Sequence, residues 1–103
     1  MTSQFTYDFE WDPEKARTNA TKHGVAFEQA AGVFRDPLAL TVFDGEHSES
    51  EERWVTLGCA ENGMHLVMIH TYQETGATSA SVRIISARRA TKEEIRDYEQ
   101  RAR

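Results

Sequence analysis

The sequence predicts a small α+β domain, in which two helices precede a four-stranded antiparallel meander and a third helix closes the chain, α-α-β-β-β-β-α. Three observations carry this. A helix-start signal at Asp12-Pro13 and a helix-stop signal at Gly24 bracket an early segment; apolar and polar residues alternate from Leu38 onward; and within Ser81–Tyr98 the period switches from two residues to that of a helix. At 103 residues the chain supports one core and not two, so residues 1–103 are read as a single domain.

The first ten residues read as a short arm. Asp12 is then a good N-cap, Pro13 fits the first helical position, Glu14 complements the helix dipole, and Trp11 can cover Ala16. Lys22-His23-Gly24 supplies a cationic last turn and a glycine for the left-handed cap. Phe27, Ala30, Ala31 and Phe34 follow at helical spacing, with both phenylalanines read as core, and Asp36-Pro37 stops this second helix.

Leu38–Asp44 and Arg53–Cys59 alternate as strands around a polar loop, Gly45–Glu52. Asn62-Gly63 is a hairpin signal joining the second strand to a third at Met64–Tyr72. A Gly/Thr/Ser loop, Gln73–Ala80, leads to the fourth strand. Thr91-Lys92-Glu93-Glu94 has capping-box form, so the last helix starts there, with Ala90 and Ile95 as a staple. In the third strand Leu66 and Met68 face one way and Val67 and Ile69 the other, all apolar, so the second face of the sheet is expected to meet a partner or a substrate.

Apolar content of 39% and charged content of 28% are ordinary for a soluble domain and exclude a disordered chain. No window approaches the ~20 apolar residues of a spanning helix. The N-terminus lacks the basic and apolar regions of a secretory signal, so the expected location is the cytoplasm, with no membrane partner. The net charge of −5 argues against a general polyanion binder, yet residues 80–103 carry seven Lys+Arg against four Asp+Glu. Any nucleic-acid contact should centre there. The lone Cys59 sits in an apolar alternation and reads as buried and inert. His65 and His70, five apart in a strand, face opposite ways, and no metal site or cofactor is expected.

Arg83, Arg88 and Arg89 stand at a strand-to-helix corner, where planar guanidinium forks could meet a phosphate. The same pattern fits arginines that are solvated or paired with surface carboxylates, and the residues alone leave both readings open.

Taken together, FEWDPEKARTNATKHGVAFEQAAGVFRDP (Phe9–Pro37), HSESEER (His47–Arg53) with Gly58 after it, His70-Thr71, and RIISARRAT (Arg83–Thr91) followed by Glu94 and Tyr98 resemble the BrnT family of toxins from bacterial type II toxin–antitoxin systems. The resemblance spans nearly the whole chain. It implies a RelE-like fold, a metal-independent endoribonuclease that cuts RNA and inhibits translation, and neutralisation by a BrnA-type ribbon-helix-helix antitoxin in a hetero-oligomer. Operator DNA would be contacted only through the antitoxin. Two departures stand out. Ala26 replaces a small hydroxyl residue before the second helix, and Gln73 lies where many relatives carry an arginine, which would weaken cleavage if that arginine binds phosphate. A second function class is therefore a catalytically weak module that holds an antitoxin and tunes repression.

Cutting RNA without metal requires removal of the 2′-hydroxyl proton, neutralisation of the phosphorane-like transition state, and a proton for the 5′-oxygen. Arg83 and Arg88, with Arg53 next, are assigned to the phosphate. His70 is the candidate proton carrier, against the alternative of a strand histidine bonded to a neighbour. Lys22, His23, Trp11 and Tyr98 are the candidate substrate contacts, although helix-end chemistry already accounts for Lys22 and His23, and packing at the helix start for Trp11.

Overall fold

The structure, a computed structural model, describes residues 4–101; residues 1–3 and 102–103 of the expected 103-residue domain lie outside it. The elements are β1 (Thr6–Glu10), α1 (Pro13–His23), α2 (Phe27–Ala31) continued by a 3-10 turn (Gly32–Arg35), β2 (Leu40–Phe43), β3 (Trp54–Cys59), β4 (His65–His70), β5 (Gln73–Gly76), β6 (Ser79–Arg89) and α3 (Lys92–Arg101).

The local signals act as read. The Asp12 carboxylate accepts from the Glu14 amide at 2.8 Å, and Gly24 closes α1 at φ 68°, donating its amide to the Ala20 carbonyl. The Thr91 hydroxyl accepts from the Glu94 amide while the Glu94 carboxylate accepts from the Thr91 amide, the reciprocal pair of a capping box. At Asn62-Gly63 the turn differs from a two-residue hairpin. Gly63 alone takes a positive φ, and bonds from Gly63 N to Ala60 O and from Ala60 N to Met64 O make a longer loop with a glycine bulge.

The sheet corrects the expected count. It has six strands and is mixed, in the order β1-β6-β4-β3-β2, with β5 also paired to β6. The stretch read as an arm is β1, which runs parallel to β6 from Thr6 opposite Ser79 to Glu10 opposite Arg83. The stretch read as a loop holds β5, antiparallel to the start of β6. Both exist because β6, at 11 residues, is long enough to serve two sets of neighbours: β1 and β5 along its first half, β4 along its second.

One face of the sheet is the core. Val25, Phe27, Ala30 and Val33 from the helical layer pack on Leu66, Met68, Val82, Ile84 and Ala87, with Phe9, Trp11 and Phe34 against them. Full burial of Phe27, Leu66, Met68 and Ile84 contributes about 1.5–3 kcal/mol each. Gly58 sets how closely the layers approach: a Cβ there would meet Val33 Cγ1 at 2.7 Å and Ala39 Cβ at 3.0 Å. Asn19 in α1 takes the place of a strand on the edge of β6 beyond β1. Its amide nitrogen donates to the Ala87 and Val25 carbonyls at 2.9 and 3.0 Å, and its oxygen accepts from the Ala87 amide at 3.0 Å.

The other face is more open. α3 reaches it at the Cys59 end, where Tyr98 packs edge-on to His65 at 5.1 Å. Farther along, Val55, Leu57, Ile69 and Ile85 stay half-exposed. Cys59 lies on this face and is half-buried rather than buried, because its strand phase is that of Leu57 and not of the core-facing Gly58.

Candidate functional site

Strand phase places three of the four candidate catalytic residues on the open face. Arg53 alternates with Trp54 at the start of β3, Arg83 alternates with core-facing Val82 and Ile84, and Arg88 lies across from Val67. Glu51, from the loop before β3, joins two of them. Its Oε1 accepts from Arg83 Nη2 and stands 3.9 Å from Arg53 Nη2. The Arg83 hydrogen bond, with the fields of Arg83, Arg53 and Lys15, holds the Glu51 carboxyl below its usual range despite some desolvation. Arg53 Nε is buried and has no hydrogen-bond partner among the described residues.

Arg88 is engaged from its other side. Its fork meets both oxygens of Glu94, Nη1 to Oε1 at 2.8 Å and Nη2 to Oε2 at 2.9 Å. That bidentate bond, with the capping contacts to Thr91, pulls the Glu94 carboxyl down to about 2. Of the two readings open in the sequence, the structure shows the pairing: Arg83 and Arg88 each bond a carboxylate, on the face that Arg53 shares. Between Arg88 and the end of α1, the side chains of His23, Val55, Val67, Ile69 and Ser86 line a cavity of about 130 Å³. His23 is thus brought to the arginine face, while Lys22, one residue earlier, is exposed on the last turn of α1.

Three assignments are corrected. His70 shares the phase of Leu66 and Met68, so it lies on the core face, 1% exposed, with the sheet between it and the arginines. Its Nδ1 is 2.8 Å from the Thr71 carbonyl, which can only accept, so Nδ1 carries the proton and Nε2 accepts from the Thr56 hydroxyl at 2.7 Å. Thr56 in turn meets Thr41 at 2.8 Å. Tyr98 is 7% exposed and bonds Asp36 Oδ2 at 2.6 Å, so it holds α3 to the sheet and offers no ring to a substrate. Its hydroxyl is pushed up to about 12, first by Asp36 and then by burial. Trp11 packs edge-on to buried Phe27 at 6.0 Å and is partly buried against the core, so packing at the helix start accounts for it.

These placements set a pH dependence. Burial drives His70 below its ordinary 6.5, against the smaller opposite effect of the Thr71 carbonyl. Between that lowered value and 6.5 the unfolded chain binds the proton and the folded chain does not, so stability falls as pH drops below 6.5. Glu94 acts lower. Its stabilisation is complete above 4.5 and is lost as pH falls from there toward about 2. Melting temperature against pH should fall in two stages, and His70→Gln should remove the first.

Glu51 is a functional candidate the residues did not single out. It lies inside HSESEER, where four acidic or hydroxyl neighbours give no local sign of which carboxylate turns toward the sheet. The larger cavities, about 1020 and 670 Å³, open on the aromatic core side; their linings include Glu28, Asp36, Glu61 and Glu74 against the single cation Arg35, an unfavourable setting for RNA. Among the described residues no three His, Cys, Asp or Glu side chains come together as metal ligands.

The geometry can be set beside known proteins. A family model described as "Ribonuclease toxin, BrnT, of type II toxin-antitoxin system" matches residues 11–94. Among solved structures, the chain resembles the Brucella abortus ribonuclease toxin BrnT at 21% identity and a TM-score of 0.55, over 86% of this chain and 100% of that one, a likeness of fold. No curated protein matches the sequence. With most of its length matched, this chain belongs to the BrnT family of ribonuclease toxins of type II toxin–antitoxin systems.

Proposed function

We propose that this chain is a metal-independent endoribonuclease that cuts RNA on the open face of its sheet, arrests translation in the cytoplasm, and is neutralised by a BrnA-type ribbon-helix-helix antitoxin through which alone the complex meets operator DNA. Its fold would then be a variant of the RelE type. The observation that carries the reading is that Arg53, Arg83 and Arg88 share one face of β3, β4 and β6, Arg53 and Arg83 gathered about Glu51 and Arg88 beside His23 at the end of α1.

In this mechanism the arginine forks bind the non-bridging oxygens of the scissile phosphate and hold them as negative charge grows. The 2′-oxygen attacks phosphorus while its proton passes to His23, the P–O5′ bond breaks, and the 5′-oxygen takes a proton from solvent. Products are a 2′,3′-cyclic phosphate and a 5′-hydroxyl. His23 replaces His70 in this role because Thr71 and Thr56 occupy both nitrogens of the buried ring.

The test is cleavage of a single-stranded RNA by purified protein with a chelator present. His23→Gln should lower the rate by about 100-fold, the low end for a general base, while His70→Gln keeps cleavage and loses melting temperature. The opposite pattern would return the chemistry to His70. A second reading, a weak or inactive module that binds an antitoxin and tunes repression, draws on the carboxylates already paired to Arg83 and Arg88 and on Gln73, exposed on β5. Absence of cleavage by a folded chain that still binds its antitoxin would favour it.

A further inference from the structure

We propose that Arg53 and Arg83 form a phosphate-binding site on the open face and that Glu51 is its built-in occupant, a carboxylate that an RNA phosphate displaces. This rests on the reading above that RNA is the substrate. The geometry is that of an anion held by two cations. A single oxygen, Glu51 Oε1, is hydrogen-bonded to Arg83 Nη2 and lies 3.9 Å from Arg53 Nη2, so one oxygen of a phosphodiester put in its place would meet the same two forks.

Further features favour exchange over a permanent ion pair. Arg53 Nε is buried without a partner among the described residues, so Glu51 leaves this guanidinium incompletely satisfied. The loop is anchored on either side of Glu51: the Ser48 hydroxyl donates to the Asp44 carbonyl at 2.5 Å and accepts from the Arg53 amide at 2.9 Å, and the Asp44 amide donates to the Arg53 carbonyl at 2.9 Å. The Glu51 side chain can therefore swing away with the base of the loop intact. With side chains 34% and 41% exposed, the Glu51–Arg83 pair contributes little net stability, so giving it up is easy. A phosphate meeting both forks gains counterion release as well. A general-base role fits less well, because the Arg83 bond holds the Glu51 carboxyl low and its charge would oppose that of the transition state.

Glu51→Gln keeps the shape of the side chain and removes its charge. The probe is a fluorescent oligoribonucleotide blocked by 2′-O-methylation, titrated over a salt series. Glu51→Gln should bind it about 10-fold more tightly at low salt. The slope of log K against log[salt] should steepen by about 0.7, one more unneutralised cation meeting a single strand. The RNA concentration giving half-maximal cleavage should fall in parallel. Glu61→Gln makes the same change of net charge at an exposed carboxylate paired with Arg35, and should leave affinity unchanged. Equal tightening by Glu61→Gln, weaker binding by a thermally normal Glu51→Gln, or a collapsed saturating rate would each overturn the proposal. If Arg83→Lys weakens binding while Glu51→Gln does not strengthen it, the occupant idea fails and the RNA site stands; if wild type neither binds nor cuts RNA, both fail.

Discussion

Asn19→Ala should lower the melting temperature by roughly 10–20 °C, the largest stability change expected of any single substitution in α1. The side chain is 6% exposed and makes three hydrogen bonds to backbone groups of Ala87 and Val25. Truncation strands one amide and two carbonyls at the junction of helix and sheet, at about 1–3 kcal/mol for each group left unsatisfied, with partial relief by water. Even a total near 3 kcal/mol gives such a shift at the ~4–8 °C per kcal/mol of a domain this size. Asn19→Asp keeps the acceptor for the Ala87 amide but turns a charged oxygen on two carbonyls, and should be no better tolerated. Thermal melts followed by circular dichroism check this; an Asn19→Ala shift of only ~2 °C would show that α1 is held by other contacts.

Asn19 also marks the limit of what the residues disclose. In sequence it is one polar residue on a helix with a thin apolar stripe, and its partner Ala87 is 68 positions away. Nothing local distinguishes it from a solvated surface residue. The helix ends were legible for the opposite reason: the Asp12 cap, Pro13, Gly24 and the Thr91/Glu94 pair complete their chemistry within a few residues. Strands β1 and β5 depend on β6. Tyr7 and Phe9 alternate over only five residues before a helix start, and QETG carries no apolar pattern, so both become strands because β6 offers them unpaired backbone.

At the site, faces were more legible than partners. The alternation that separates Leu66 and Met68 from Val67 and Ile69 also puts His70 with the core pair, so strand phase alone sets His70 on the face away from the arginines. That Arg88 would take Glu94, already committed to the capping box, required the bend from β6 into α3, which brings the two side chains together. The choice of Glu51 for Arg83 depends on how the Gly45–Glu52 loop folds back over the sheet, and turn-rich polar sequence does not encode that in any local signal.

The second large effect falls on cleavage. Arg83→Lys keeps the charge on the open face but removes the planar fork, and a transition state held by two donors in fixed geometry loses at least ~10-fold in rate, about 1.4 kcal/mol. Arg88→Lys is a less clean probe, because it also breaks the bidentate bond that supports the start of α3. Arg83 carries the rival explanation of a residue whose task is to pair Glu51. Its side chain is 41% exposed, so a scaffold role of that kind would be small and would appear in stability. The decisive measurement is single-turnover cleavage of one RNA oligonucleotide by the wild type and by Arg83→Lys, with the melting temperature of each recorded. A rate lowered at least ~10-fold at a melting temperature within ~2 °C is the expected result; a thermally normal Arg83→Lys that cuts RNA as fast as the wild type would contradict cleavage by the arginines of the open face.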